Sequence, residues 1–127
     1  MISLDTNVIL RFLLRDVINQ SAKAEHLLKS QPCYVTDVVI TETVFVLETV
    51  YKTPRHDLAA LVRGFLSFPN LTCNIDLLND VLDIFEKHPS LSIIDCYSSV
   101  EGRMFGNRLV TFNKRLIKQG GAHVVEV

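Results

Sequence analysis

The feature that most constrains the fold of this chain is the alternation of short apolar segments with longer segments of helical periodicity. The short segments are predicted as strands over residues 1–4, 33–35, 71–74, 109–111 and 124–127. Helices are predicted over residues 8–15, 20–29, 38–51, 55–68, from 76 to about 89, 92–106 and 113–118. Strands separated by helices indicate parallel pairing through helical crossovers, with helices on both faces of the sheet. The sequence therefore predicts an α/β fold.

The composition is that of one folded domain in the cytoplasm. The 127 residues, 48% hydrophobic and 21% charged, are enough for a single core and too few for two. Polar and charged side chains interrupt the longest apolar stretch, residues 38–50, so no membrane span is expected. Three widely spaced cysteines cannot form a closed set of disulfides, which suits a reducing compartment. We expect a single domain over residues 1–127.

Polar side chains follow two of the predicted strands. Asp5 comes directly after the first strand, and Asn113 follows the strand that ends at Thr111. In open parallel sheets the ligand site lies beyond the carboxyl ends of the strands. Asp5 and Asn113 are therefore predicted to share that edge of the sheet.

Glu42 is predicted to lie on an apolar helix face. Its neighbours three and four residues away are Val38, Val39, Phe45 and Val46. A carboxylate buried there must be paired, protonated or bound to a metal. An alternative is a helix turned so that Glu42 lies at the boundary and hydrogen-bonds a hydroxyl or an arginine. Glu48, by contrast, is predicted to form a surface pair with Lys52.

Each of the other polar candidates has a purely structural interpretation as well. Asp5 is also typical of a turn, beside Thr6 or Asn7 as helix caps. Ser92 and Asp95 fit a capping box, and Asn113 fits a helix cap. Asp37 is predicted to cap the helix over residues 38–51.

The net charge of −1 excludes a general electrostatic attraction to nucleic acid, but the basic residues are unevenly placed. From residue 101 onward, five basic residues stand against two acidic ones. These are Arg103, Arg108, Lys114, Arg115 and Lys118. They are consistent with a solvated face or with a basic rim beside an acidic site.

Four segments, taken in order, resemble the signature segments of the PIN-domain family. They are LDTNVILRFL near the start, TETVFVLETVY in the middle, LSIIDCYSSV late and LVTFNKRL near the end. The resemblance covers almost the whole chain and is closest to the VapC-type toxin ribonucleases of toxin–antitoxin pairs. It implies a three-layer α/β/α fold with a central parallel sheet of four to five strands flanked by helices.

The resemblance also implies a function and a site. The family's metal-binding and catalytic acids fall on Asp5, Glu42 and Asp95, and its neighbouring polar positions fall on Thr6, Asn7 and Thr111. The implied activity is Mg²⁺- or Mn²⁺-dependent endoribonucleolytic cleavage of RNA. The implied partners are a small cognate antitoxin protein and a second copy of the chain in a homodimer.

Asn113 departs from the family pattern, because the family usually has an aspartate there. An amide oxygen can still hold a metal or its water, so we expect Asn113 to bind a second metal more weakly. The alternative is a catalytically weakened PIN-like binding module. A receiver-like domain and a phosphatase with an aspartate nucleophile fit less well, since Thr6 and Asn7 stand where further acids are needed.

Overall fold

In a computed structural model that describes residues 1–127, five short strands alternate with seven helices. The strands are β1 (Ile2–Ser3), β2 (Cys33–Tyr34), β3 (Leu71–Thr72), β4 (Leu109–Thr111) and β5 (Val124–Glu126). The helices are α1 (Thr6–Leu14), α2 (Ile18–Ser30), α3 (Asp37–Thr49), α4 (Arg55–Leu66), α5 (Ile75–Lys87), α6 (Ile93–Met104) and α7 (Lys114–Gln119). Every element predicted from the sequence is present, which confirms the α/β class. No helix is both long and apolar enough to cross a membrane.

The contacts of the chain divide it into two compact units, Met1–Ile75 and Asp76–Val127. The strands of both units are parallel: β1, β2 and β3 form one sheet in that order, and β4 pairs with β5. The five parallel strands match the number expected, but they are assigned to two sheets, of three and of two strands, and not to one. A single domain over residues 1–127 stays a prediction.

The sheet of the first unit places the start of α1 at the carboxyl edge of the strands. Ile2 lies opposite Cys33, which lies opposite Leu71. Beyond β1, the Leu4 N–H donates to the Tyr34 carbonyl at 2.8 Å. The chain therefore stays in the sheet up to Leu4 and leaves it at the next residue.

The core of the first unit fixes α1 and α3, the two helices that carry Thr6 and Glu42. The Phe12 ring on α1 lies 6.0 Å from the Phe65 ring and 5.2 Å from the Phe68 ring, between centroids. Fully buried side chains of this core include Ile9, Leu28, Ile40, Val44, Leu47 and Leu58. Such packing allows little rotation of either helix.

One surface ion pair differs from the prediction. Glu48 accepts a hydrogen bond from Arg55 Nε at 2.7 Å, and the predicted pair with Lys52 is wrong. The physical reason is that α3 ends at Thr49, and Lys52 has a positive φ of 55° in the following loop. Helical spacing therefore does not continue from Glu48 to Lys52.

The second unit packs α5 and α6 around a core that includes Leu78, Leu82, Phe85 and Leu91. The buried Ser99 hydroxyl donates to the Gly120 carbonyl, and His123 Nε2 lies 2.7 Å from the Ser99 carbonyl oxygen. A carbonyl oxygen only accepts, so His123 carries its proton on Nε2. These bonds tie the end of α7 to α6.

Candidate functional site

Asp5 lies at the exit of β1, in the N-cap position of α1, and its carboxylate is exposed. The backbone is extended there (φ −89°, ψ 161°), but the side chain makes no capping hydrogen bond. Aspartate in this position ordinarily accepts a bond from the first turn of the helix. Because it does not do so here, both carboxylate oxygens of Asp5 are free to bind a ligand.

Thr6 follows Asp5 and is buried, with 4% of its surface exposed. Its hydroxyl donates to Glu42 Oε2 at 3.0 Å, a contact between α1 and α3 across 36 positions of the sequence. Two of the three predicted acids, Asp5 and Glu42, are therefore linked through Thr6. Asp5 precedes Thr6 in the chain, and Glu42 accepts a hydrogen bond from its hydroxyl.

Glu42 itself is exposed, and the prediction that its helix face is buried was wrong. Val38 is 73% exposed and Phe45 is 55% exposed on the same face. The buried face of α3 is instead formed by side chains such as Ile40 and Val44. The alternative, a helix turned so that Glu42 accepts a bond from a hydroxyl at the boundary, is confirmed.

Asp95 is half-buried at the start of α6 and forms the predicted capping box. Its N–H donates to Ser92 Oγ at 3.1 Å, and its Oδ2 accepts from the Ser92 N–H at 3.2 Å. The structural interpretation of this pair is confirmed. Asp95 Oδ1 accepts no hydrogen bond, so one oxygen remains for a ligand.

Asn113 caps α7, and Thr111 supports it. Asn113 Oδ1 accepts from the N–H groups of Arg115 at 3.0 Å and Leu116 at 3.3 Å. The Asn113 N–H donates to Thr111 Oγ1 at 3.0 Å. Both lone pairs of the amide oxygen are engaged, so a metal at this oxygen has to displace at least one bond.

Neither compact unit contains a group of three or more histidine, cysteine, aspartate or glutamate side chains arranged to hold a metal ion. Of the predicted site residues, the first unit contains Asp5, Thr6, Asn7 and Glu42, and the exposed Asn7 lines a groove of about 280 Å³ with Val8 and Arg11. The second unit contains Asp95, Thr111 and Asn113. The predicted set is therefore divided between the units.

None of the three cysteines forms a disulfide, and burial makes two of their thiols less reactive. Burial raises the pKa of the Cys33 thiol. Burial, with a smaller effect of the nearby Asp37 charge, raises the pKa of Cys73. Both thiols stay protonated at neutral pH, and a thiol is a poor nucleophile compared with a thiolate.

The sequence interpretation missed Phe112, which stands between two of the predicted site residues. Its side chain is 78% exposed, in a turn held on both sides by the bonds of Asn113. The signal that could have found it is the alternation along β4, in which Val110 and Phe112 fall on one face and Leu109 and Thr111 on the other.

Comparison with known proteins gives two matches. The sequence model of the PIN domain matches residues 2–121. The chain is also 29% identical to a protein named VapC ribonuclease from Aquifex aeolicus (strain VF5), in an alignment that covers 92% of this chain and 90% of that protein. The PIN-domain match spans the four segments quoted in the sequence analysis and extends across both compact units.

Proposed function

Because the chain belongs to the PIN-domain family, we propose that it is a metal-dependent endoribonuclease, the toxin of a toxin–antitoxin pair, that hydrolyses RNA phosphodiester bonds. The observation that carries the proposal is the arrangement around Thr6, with the free Asp5 carboxylate before it and the Glu42 carboxylate hydrogen-bonded to it. Similarity to a protein named VapC ribonuclease supports RNA as the substrate.

The donor set suits Mg²⁺ or Mn²⁺, which prefer carboxylate and carbonyl oxygens. Asp5 has two carboxylate oxygens without partners, and Glu42 and Asp95 have one each. These three acids would hold the ion, and Asn113 would contribute more weakly. When bound, the ion supplies a hydroxide from its water and offsets the charge that develops on the phosphate.

In the proposed mechanism, the neighbouring polar residues orient the metal-binding side chains or contact the substrate. Thr6 orients Glu42 through its hydroxyl, and Thr111 fixes the backbone of Asn113. Asn7 is exposed two positions after Asp5 and is available to donate to a phosphate or a sugar oxygen. Each arrangement is set before substrate binds, which lowers the cost of orienting the reacting groups.

The family also supports proposals for the cellular setting. We propose a small antitoxin protein that covers the acidic groups, a homodimer of the toxin, and a cytoplasmic location. An arginine of the antitoxin would pair well with the free Asp5 carboxylate, because guanidinium binds carboxylates through two parallel hydrogen bonds. The absence of disulfides among the three cysteines suits a reducing cytoplasm.

A second candidate function, a catalytically weakened binding module, is favoured by one observation. Asn113 brings no charge, and its amide oxygen already accepts two backbone hydrogen bonds. Such a module would bind RNA or the antitoxin without cutting RNA. The two candidates differ in a single measurable property, the rate of divalent-metal-dependent cleavage.

The test is an RNA cleavage assay in Mg²⁺ and in Mn²⁺ with the parent protein, Asp5→Asn and Glu42→Gln. Asp57→Asn is the matched control, since Asp57 is an exposed acid in the first turn of α4. We expect the parent and the control to cleave alike, and the two site variants to lose activity by about a hundredfold or more, as when charge stabilisation is lost.

Equal cleavage by all four proteins would contradict the assignment of Asp5 and Glu42 to the catalytic site. Binding of RNA without cleavage by the parent in either metal would contradict the nuclease proposal and support the binding module.

A further inference from the structure

Phe112 is the most exposed aromatic side chain of the protein, with 78% of its surface accessible. Burying an apolar ring is favourable by roughly 1.5–3 kcal/mol, so a folded protein gains nothing for its own stability by displaying one. The Phe112 ring makes no ring contact, whereas the Phe12 ring packs against Phe65 and Phe68. The exposed ring is therefore available to a partner.

The turn that carries Phe112 is held in one conformation from both sides. On one side, the Thr111 hydroxyl accepts from the Asn113 N–H at 3.0 Å. On the other side, the Asn113 side chain accepts from Arg115 and Leu116 in α7. A ring presented by a fixed backbone loses little conformational entropy when it binds.

Three exposed residues that follow Phe112 in the chain, on α7, are positively charged. Arg115 and Lys118 lie three positions apart on α7, are exposed, and form no ion pair. Lys114 pairs with Glu126 at 2.9 Å, but at 81% exposure of the lysine this pair is weak. A ring beside unpaired cations fits a ligand that has both flat bases and phosphates.

We infer that Phe112 stacks on an unpaired base of the RNA, while Arg115 and Lys118 contact phosphates of the same strand. This inference rests on the proposed function and adds to it the residues that would hold the RNA strand. In a duplex the bases already stack on each other, whereas an unpaired base offers its face to an aromatic side chain. Phe112 precedes Asn113, so stacking would hold the strand beside the proposed site.

The test is equilibrium binding of a fluorescein-labelled ten-nucleotide oligoadenylate, and of a ten-base-pair RNA duplex, by fluorescence anisotropy in EDTA. Without metal, binding is measured separately from cleavage. We expect Phe112→Ala and Phe112→Leu to weaken oligoadenylate binding by about 5- to 100-fold, and Phe112→Tyr to retain it. The matched control is Phe105→Ala, since Phe105 is also exposed, at 71%.

Three results would overturn the inference. The first is an unchanged RNA affinity of Phe112→Leu, and the second is a loss of RNA affinity in Phe105→Ala as large as that in Phe112→Ala. The third is a changed oligomeric state of Phe112→Ala with unchanged RNA affinity, which would assign the ring to a protein interface. A Phe112-dependent affinity for oligoadenylate in a protein that never cleaves RNA supports the stacking and contradicts only the nuclease proposal.

Discussion

Thr6 is a polar side chain in a buried position, and its hydroxyl has the Glu42 carboxylate as its hydrogen-bond partner. Glu42 is exposed, so water alone would leave its carboxylate many orientations. The bond from Thr6 selects one of them and leaves Oε1 free. Thr6 is therefore a positioning residue for a group that would contact the metal.

Thr6→Val removes the hydroxyl with almost no change in volume. We predict that kcat/KM for RNA cleavage falls about tenfold, because one orienting hydrogen bond to a charged group contributes roughly 1.5 kcal/mol. Stability to urea should change little, since the exposed Glu42 can be solvated, and Thr6→Ser should keep both properties. Unchanged cleavage by Thr6→Val would show that the bond orients nothing used in catalysis.

Asn113→Asp tests the departure from the family pattern. Aspartate caps a helix as well as asparagine does, so α7 should be retained. The added charge should raise Mn²⁺ affinity, measured by titration calorimetry, because divalent ions prefer carboxylates. If affinity does not rise, the metal interpretation of residue 113 is wrong.

For single residues, the sequence predicted hydrogen bonds between near neighbours better than it predicted which side chains face the core. The Ser92–Asp95 capping box was predictable because its partners lie three positions apart. The exposed face of α3 was not, because the residues three and four positions from Glu42 are all apolar, and only the packing of the rest of the unit decides which of them are buried. Phe112 was missed for a similar reason, since an apolar residue after a strand is ordinarily core.

At the scale of the element, two helix starts differ from the predicted caps. The prediction that Thr6 or Asn7 caps α1 was wrong, because α1 begins at Thr6 and its N-cap is Asp5. Asn113 caps α7 as predicted, but α3 is capped by Thr36, whose hydroxyl accepts from the Val39 N–H at 3.1 Å. The prediction that Asp37 is the cap was wrong by one residue. Threonine and aspartate are both good caps, so adjacent ones cannot be ranked from the sequence.

Gly120, at the end of α7, and Gly64, in the last turn of α4, can be compared by the same substitution to alanine. A Cβ at Gly120 would lie 2.6 Å from the Leu116 carbonyl oxygen and 2.9 Å from Val124 Cγ2, whereas one at Gly64 would meet nothing within 4 Å. We predict that Gly120→Ala destabilises the protein by about 1–3 kcal/mol through overpacking. Gly64→Ala should stabilise α4 by about 0.5–1 kcal/mol.

Urea denaturation followed by circular dichroism measures both changes. Equal midpoints for the two variants would show that α7 and β5 are not packed as closely as the Gly120 contacts indicate.

For the whole molecule, the alternation of strands and helices was enough to predict the class and the parallel pairing. Strand order was not predictable, because β1, β2 and β3 have two residues each and carry too little pattern to select a neighbour. The division into compact units at Ile75 was not predicted either, since no change of composition marks it. Both depend on contacts between segments far apart in sequence.

We propose that Asp5, Glu42 and Asp95 each contribute to the binding of a divalent ion. Asp5 and Glu42 belong to the first unit, and Asp95 belongs to the second. Each has at least one carboxylate oxygen without a hydrogen bond. Metal affinity should therefore fall when any one of the three is neutralised, whichever unit carries it.

The most direct test is titration with Mn²⁺, followed by the electron paramagnetic resonance signal of the free ion. If these acids bind the ion, the parent and Asp57→Asn should bind Mn²⁺ saturably. The affinity for Mn²⁺ should be at least about tenfold weaker in Asp5→Asn, Glu42→Gln and Asp95→Asn. Binding that is absent from the parent, or equal in all five proteins, would contradict the proposal.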